Sequence, residues 1–204
     1  MPSHNAAELK LTVSKDMQSL MRLLVSRGIR LEARPGIPVK VFLKKRLPAD
    51  ENYLENSIQT IFMNGHAVDD PAQTLITGPC TIALSAAMPG VFGAAFRKKG
   101  IYSTMRAGYP QNSSEDEENF NGETVPVTLK CFNQVAEDLG DALLESGVTM
   151  DIKDFENFWK LEKNVLEKRA LKAEINGSQA DVSEVAGLFE HKTAMVKIRV
   201  VAEG

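Results

Sequence analysis

Ile58-Gln59-Thr60-Ile61-Phe62-Met63-Asn64-Gly65 and Leu171-Lys172-Ala173-Glu174-Ile175-Asn176-Gly177 decide the fold. Each is a short strand-like run that closes on Asn-Gly. That pair accepts positive φ at both positions, which makes it the strongest short-range signal for a two-residue hairpin. The first run leads to Val68-Asp69-Asp70, then Leu75-Ile76, Gly78 and a strand over Thr81 to Ser85. The second leads to Ala180-Asp181-Val182, then Leu188-Phe189 and a strand over Val196 to Val201.

Moving back from each hairpin, the pattern continues. Leu9-Lys10-Leu11-Thr12-Val13 and Val127-Thr128-Leu129-Lys130-Cys131 alternate as strands. A helical stretch follows each. In the first, Ser14 is placed to cap and Met17, Leu20, Met21 and Leu24 recur at three and four, with Gly28 ending the run. In the second, Asn133 caps, Val135, Leu139, Ala142 and Leu143 form the stripe, and Gly147 ends it. Both stretches close on Leu-Leu-x-Ser. The chain thus reads as a repeat, from about Glu8 to Ala87 and from about Pro126 to Ala202.

The middles of the two copies differ. Ile37-Pro38-Val39-Lys40-Val41-Phe42-Leu43 alternates and is predicted as a strand, with a polar turn and short helix over Leu47 to Asn56. Asp151 to Lys168 is predicted as a helix, with Ile152, Phe155, Phe158, Trp159, Val165 and Leu166 near one face. That stripe reads as core or as packing between halves. The expected fold is α+β: two similar half-domains, 7–88 and 126–204, each a mostly antiparallel sheet covered by a helix. An unduplicated segment, 89–125, lies between them.

Composition sets the class. The chain has 204 residues, enough for one or two domains with real cores. A net charge of −3 argues against a dedicated nucleic-acid binder, and no nucleic-acid partner is expected. Cys80 and Cys131 fall on predicted strands and read as reduced, buried thiols, with a disulfide between them as the alternative. Met1 to Asn5 lacks the basic start and apolar core of a secretory leader. Pro71 to Phe96 carries no charged residue and precedes Arg97-Lys98-Lys99, so its length alone would allow a membrane span. Pro71, Gly78, Pro79, Pro89, Gly90 and Gly93 divide it into short pieces, and no membrane partner is expected. A cytoplasmic location follows from these readings.

Residues 58 to 90 resemble the last part of the β-grasp sulfur-carrier proteins, the small ubiquitin-like carriers of molybdopterin and thiamine synthesis. The resemblance rests on Ile61-Phe62-Met63-Asn64-Gly65, Val68-Asp69-Asp70, Leu75, Gly78, Thr81-Ile82-Ala83-Leu84 and Pro89-Gly90, about a sixth of the chain. In that family a strand ends in Asn-Gly, a short irregular segment follows, and a last strand leads to the tail. The resemblance implies a β-grasp-like sheet. The carriers act through a terminal Gly-Gly. Here Met88-Pro89-Gly90 runs on into further chain and Val201-Ala202-Glu203-Gly204 offers one glycine, so the resemblance extends to fold rather than to sulfur carriage.

Chemistry-bearing motifs are sparse. His4, His66 and His191 are far apart, and no Cys-x-x-Cys or His-x-x-x-His spacing occurs; no metal or cofactor is expected. His66 with Asp69 and Asp70 could hold a cation, but Val68-Asp69-Asp70 reads first as a polar turn in which Asp bonds nearby amides. No Gly-x-Ser-x-Gly or Walker-type loop is present, and no catalytic residue is assigned.

The segment between the copies draws the functional expectation. Ala86 to Phe96 is small, apolar and punctuated by glycine; Arg97 to Arg106 is basic; Ser113-Ser114-Glu115-Asp116-Glu117-Glu118 is acidic. The leading expectation is a non-enzymatic binding or assembly protein, a homo-oligomer or one with a protein partner, in contact through 86–106. Met88, Val91, Phe92 and Phe96 would make that contact. The alternative is a protein or enzyme that binds a small anion through Arg97, Lys98, Lys99, Tyr102 and Arg106, with Asp69 or Asp70 as acid–base groups.

Overall fold

The computed structural model describes residues 6–86, 122–190 and 194–203. The first elements are β1 (Ala7–Ser14), a 3-10 turn (Lys15–Met17), α1 (Gln18–Met21), α2 (Leu23–Arg27), β2 (Ile29–Ala33) and β3 (Ile37–Pro38). Next come α3 (Val39–Arg46), α4 (Glu51–Asn56), β4 (Thr60–Met63), β5 (His66–Ala67), β6 (Leu75–Ile76) and β7 (Cys80–Ser85). After the intervening segment come β8 (Val125–Phe132), α5 (Gln134–Ser146), β9 (Val148–Asp151), α6 (Ile152–Arg169), β10 (Ala170–Ile175), β11 (Ser178–Ala180), a 3-10 segment (Val182–Glu190) and β12 (Met195–Glu203). The class is α+β, as the patterning predicts. Among the described residues no helix is long and apolar enough to cross a membrane.

Both Asn-Gly pairs form the hairpins expected of them. Asn64 and Gly65 have φ of 52° and 82°, Asn176 and Gly177 of 50° and 80°, and each pair joins two antiparallel strands in register. The asparagines do a second job. The Asn64 backbone N–H donates to the Thr81 carbonyl at 2.9 Å, and its side-chain oxygen accepts from the Thr81 N–H at 2.8 Å. Asn176 repeats the arrangement on Glu8, at 2.8 and 2.9 Å. Each turn is therefore pinned to the strand beside its hairpin.

That neighbour exposes what the sequence pattern hides. Thr81 belongs to the same half of the sequence as Asn64, but Glu8 belongs to the opposite half from Asn176. One sheet has the order β11-β10-β1-β12-β9 and the other β2-β8-β7-β4-β5. Each sheet has taken the opening strand of the other half. The first sheet is mostly antiparallel, with β1 and β12 its one parallel pair; in the second, β7 and β8 are parallel, and β4 pairs antiparallel with both β5 and β7. Strands that correspond in the sequence pattern do not hold corresponding places. β1 lies next to the hairpin in its sheet, whereas β8 lies one strand further from the hairpin in its own.

The compact units follow the sheets. One comprises Met1–Arg30 with Gly140–Gly204, the other Leu31–Leu139. In the first, α6 begins at Asp151, whose side chain accepts from the Lys153 N–H at 2.9 Å, and packs on β9, β10, β12, α2 and the 3-10 segment. Phe155, Phe158, Trp159 and Leu166 are buried along it as the periodicity predicts, while Val165 is 37% exposed.

The predicted strand over Ile37 to Leu43 is corrected: only Ile37–Pro38 is extended, and Val39 opens helix α3. Val39, Phe42, Leu43 and Leu47 are buried, a spacing of three and four that runs past the end of the alternating window. Lys44, Lys45 and Arg46 fill the last turn, where cations favour a helix C-terminus. The first helix of the pattern is also broken, into a 3-10 turn and two short pieces. Ser14 bonds the Asp16 carboxylate at 2.5 Å rather than capping a backbone N–H.

Gly140 sits in mid-α5, a position that costs about 1 kcal/mol relative to alanine. A Cβ there would lie 2.9 Å from Cγ and 3.3 Å from Cβ of Arg22. Arg22 is held in place by Asp141, to which its Nε and Nη2 donate at 2.8 and 2.5 Å. Gly140→Ala is therefore expected to lower stability, by about 1–2 kcal/mol, against the helix-propensity trend, because the stem of Arg22 must shift. Urea denaturation measures it, and a stabilised variant would show that Arg22 moves aside freely.

Candidate functional site

A cleft with a volume of about 440 Å³ lies within the Leu31–Leu139 unit. α3 contributes Lys40 and Leu43, α4 contributes Leu54, Glu55 and Asn56, β4 contributes Ile61, and the Asp69–Ala72 turn forms the remaining wall. Leu43, Leu54 and Ile61 make an apolar floor and belong to the buried core.

The walls are fixed by local bonds. Asp50 caps α4, accepting from the Tyr53 N–H at 2.7 Å. Asp70 builds the turn: its Oδ1 accepts from the N–H groups of Ala72 and Gln73 at 2.9 and 3.2 Å, and its carbonyl accepts from the Thr74 N–H and hydroxyl at 3.0 and 2.8 Å. The turn in turn satisfies the first amides of α3, which have no partner inside the helix. Val39 N–H donates to the Thr74 carbonyl at 2.9 Å and Lys40 N–H to the Pro71 carbonyl at 2.7 Å. Asp70 thus acts as the polar-turn reading predicts.

Charge in the cleft is acidic. Lys40 Nζ lies 2.7 Å from Glu55 and 3.4 Å from Glu51, and Lys44 lies 3.2 Å from Glu51. The bond to Glu55, joined by Glu51, holds the Lys40 ammonium above its ordinary range. The bonds from Lys44 and then Lys40 hold the Glu51 carboxyl below its own. Lys40 and Glu51 therefore stay charged at neutral pH. Among the described lining residues one ammonium stands against three carboxylates, those of Glu55, Asp69 and Asp70.

Of the predicted site residues, Asp69 and Asp70 come together in this cleft. Arg97, Lys98, Lys99, Tyr102 and Arg106, and the contact residues Met88, Val91, Phe92 and Phe96, lie outside the described residues. Sequence reasoning missed Lys40 and Glu55. A strand reading put Lys40 opposite the wrong neighbours, whereas the 39/42/43/47 spacing would have placed it on a helix facing α4.

Other polar groups are committed elsewhere. Among the described residues no group of three or more His, Cys, Asp or Glu side chains gathers to hold a metal ion. Cys131 is buried and Cys80 half-buried, correcting the expectation that both are buried; both are free thiols. Burial pushes the Cys131 thiol up to about 12 and raises Cys80 as well, so both stay protonated and weakly nucleophilic. The β7–β8 register pairs Cys80 with Val127 and Leu84 with Cys131, four residues apart along adjacent strands, too far for a disulfide. Burial, then the hydrogen bond to Asp138 at 2.8 Å, raises the Tyr53 phenol far above its ordinary range and keeps it a donor. Another cleft, of about 250 Å³, lies in the other unit beside β11 and the 3-10 segment, with Glu184 the one charged group among its described lining residues.

No protein-family model matches the chain, and neither a curated protein nor a solved structure is detectably similar to it.

Proposed function

We propose that this chain is a non-enzymatic binding or assembly protein of the cytoplasm, forming a homo-oligomer or engaging a protein partner through the segment 86–106. The supporting observation is the connection between β7 and β8. These strands are parallel neighbours, with Ser85 opposite Phe132. Val125 lies seven residues before Phe132, so the chain must return about 23 Å along the sheet. A parallel crossover needs about a dozen residues. This one runs from 86 to 124, about three times that. Connections of such length carry function or act as linkers. Its apolar and then basic composition suits a contact surface rather than a bare linker.

Native mass spectrometry of the full chain tests this, beside a variant in which 89–121 is replaced by a twelve-residue Gly/Ser linker. The expected result is a dimer or larger assembly, or a retained protein partner, that is lost in the variant while its thermal transition persists. A full chain that stays monomeric and partnerless, or an assembly unchanged in the variant, would overturn the reading.

A second reading, a small-anion site using Arg97, Lys98, Lys99, Tyr102 and Arg106 with Asp69 or Asp70, draws on the cleft at Asp69 and Asp70. The acidic lining requires the basic cluster to outweigh it. A retained anionic ligand in the same spectra would favour this reading.

A further inference from the structure

We propose that Asn176 is a site of spontaneous deamidation that strand β1 holds closed, so that its conversion to aspartate or isoaspartate marks any chain from which β1 has been released.

The nucleophile is the backbone nitrogen of Gly177. It gives up its proton to solvent base and attacks Cγ of Asn176. The N–Cγ bond forms, the Cγ–Nδ2 bond breaks, and Nδ2 takes a proton from water and leaves as ammonia. Water then opens the resulting cyclic imide at either carbonyl, giving aspartate or isoaspartate. Glycine suits the attack because it places no Cβ beside the nitrogen. Asn176 and Gly177 are exposed, and a Cβ built on Gly177 would meet nothing within 4 Å, so water reaches both reacting groups.

β1 opposes this attack. The Asn176 N–H donates to the Glu8 carbonyl at 2.8 Å, and its Oδ1 accepts from the Glu8 N–H at 2.9 Å. Cγ is thereby held toward β1 and must leave it to reach the Gly177 nitrogen. Asn64-Gly65 serves as an internal comparison. It has the same positive φ values, an equally open glycine, and the same two bonds, made to Thr81 at 2.9 and 2.8 Å. The two locks differ in what carries them. Thr81 is 17 residues from Asn64, whereas Glu8 is 168 residues from Asn176. A local opening that frees β1 from β10 therefore unlocks Asn176 and leaves Asn64 closed.

The step is one-way. Isoaspartate routes the backbone through the former side chain and lengthens a two-residue turn. That turn sets the register of Ile175 with Ser178 and aims Asn176 at Glu8. A chain so marked cannot remake the same bonds to β1.

The full chain is incubated in mildly alkaline buffer, and peptide mapping by mass spectrometry then reads Asn64 and Asn176 separately. In the native wild type both are expected to remain amides over a period in which both react in strong urea. Urea added below the unfolding transition should convert Asn176 ahead of Asn64. Glu8→Pro removes the one N–H that grips Oδ1 of Asn176. It should speed reaction there several-fold, up to about tenfold, the effect of one hydrogen bond, with Asn64 unchanged. Glu8→Ala keeps that N–H and should react as the wild type does. Native Asn176 reacting as fast as in strong urea would overturn the proposal. So would joint conversion of the two sites in mild urea or in Glu8→Pro, or equal rates at Asn176 in Glu8→Pro and Glu8→Ala.

Discussion

A fragment comprising residues 126–204, the second copy of the sequence pattern, is expected to be unfolded in isolation. Its sheet needs β1, which lies between β12 and β10 and pairs with both along its length. Without β1 those two strands lose the partner that joins them. Leu9, Leu11 and Val13 go with it, each at most 2% exposed. Burying three such side chains contributes about 5–9 kcal/mol, comparable to the whole stability of an ordinary domain. The fragment also keeps most of β8, whose partner β7 lies outside it. Far-UV circular dichroism and an amide correlation spectrum should show a largely disordered chain with no cooperative melt. Co-expression with residues 1–33 should restore dispersion to a fragment beginning at residue 134, because that pair contains every strand of the first sheet. A cooperative melt from 126–204 alone would show that the second copy completes its own sheet in solution.

What the sequence made legible was local. Asn64-Gly65 and Asn176-Gly177 specify their turns through their own φ preferences, and both hairpins are where those pairs place them. α6 was readable because eighteen residues give periodicity room to show and Asp151 marks the start. α3 was not, because Val39 and Val41 are β-branched and seven residues of alternation mimic a strand; Leu47, the residue that settles the period, lies outside that window. The exchange of opening strands was beyond reach for a different reason. Leu9 to Val13 and Val127 to Cys131 share a pattern that says each is half of a buried sheet pair, and pairing partners are non-local. The candidate cleft divides the same way. Asp70 was readable as a turn builder because its partners are two to four residues away, whereas Lys40 and Glu55 meet across a helix-to-helix contact that the strand reading of Ile37 to Leu43 precluded.

Trp159→Ala is expected to cost about 3–5 kcal/mol and to lower the melting temperature by about 10 °C. Trp159 is 1% exposed on the buried face of α6, its ring 5.8 Å from that of Phe155, which in turn meets Phe189 edge-on at 5.7 Å. Truncation removes the largest side chain of this cluster and leaves a cavity that α6 cannot close while it packs on three strands. One detail separates packing from polarity here. The indole Nε1 is buried and finds no hydrogen-bond acceptor among the described residues. An unpaired buried N–H costs about 1–3 kcal/mol, and phenylalanine removes that cost while keeping an aromatic ring in place. Trp159→Phe should accordingly lose less than about 1.5 kcal/mol, because relief of the unpaired N–H offsets part of the lost contact. Urea denaturation followed by circular dichroism compares the two variants without depending on the single tryptophan as a probe. A phenylalanine variant as unstable as the alanine one would mean that Nε1 is paired in solution, and that the indole holds α6 by a hydrogen bond as well as by its bulk.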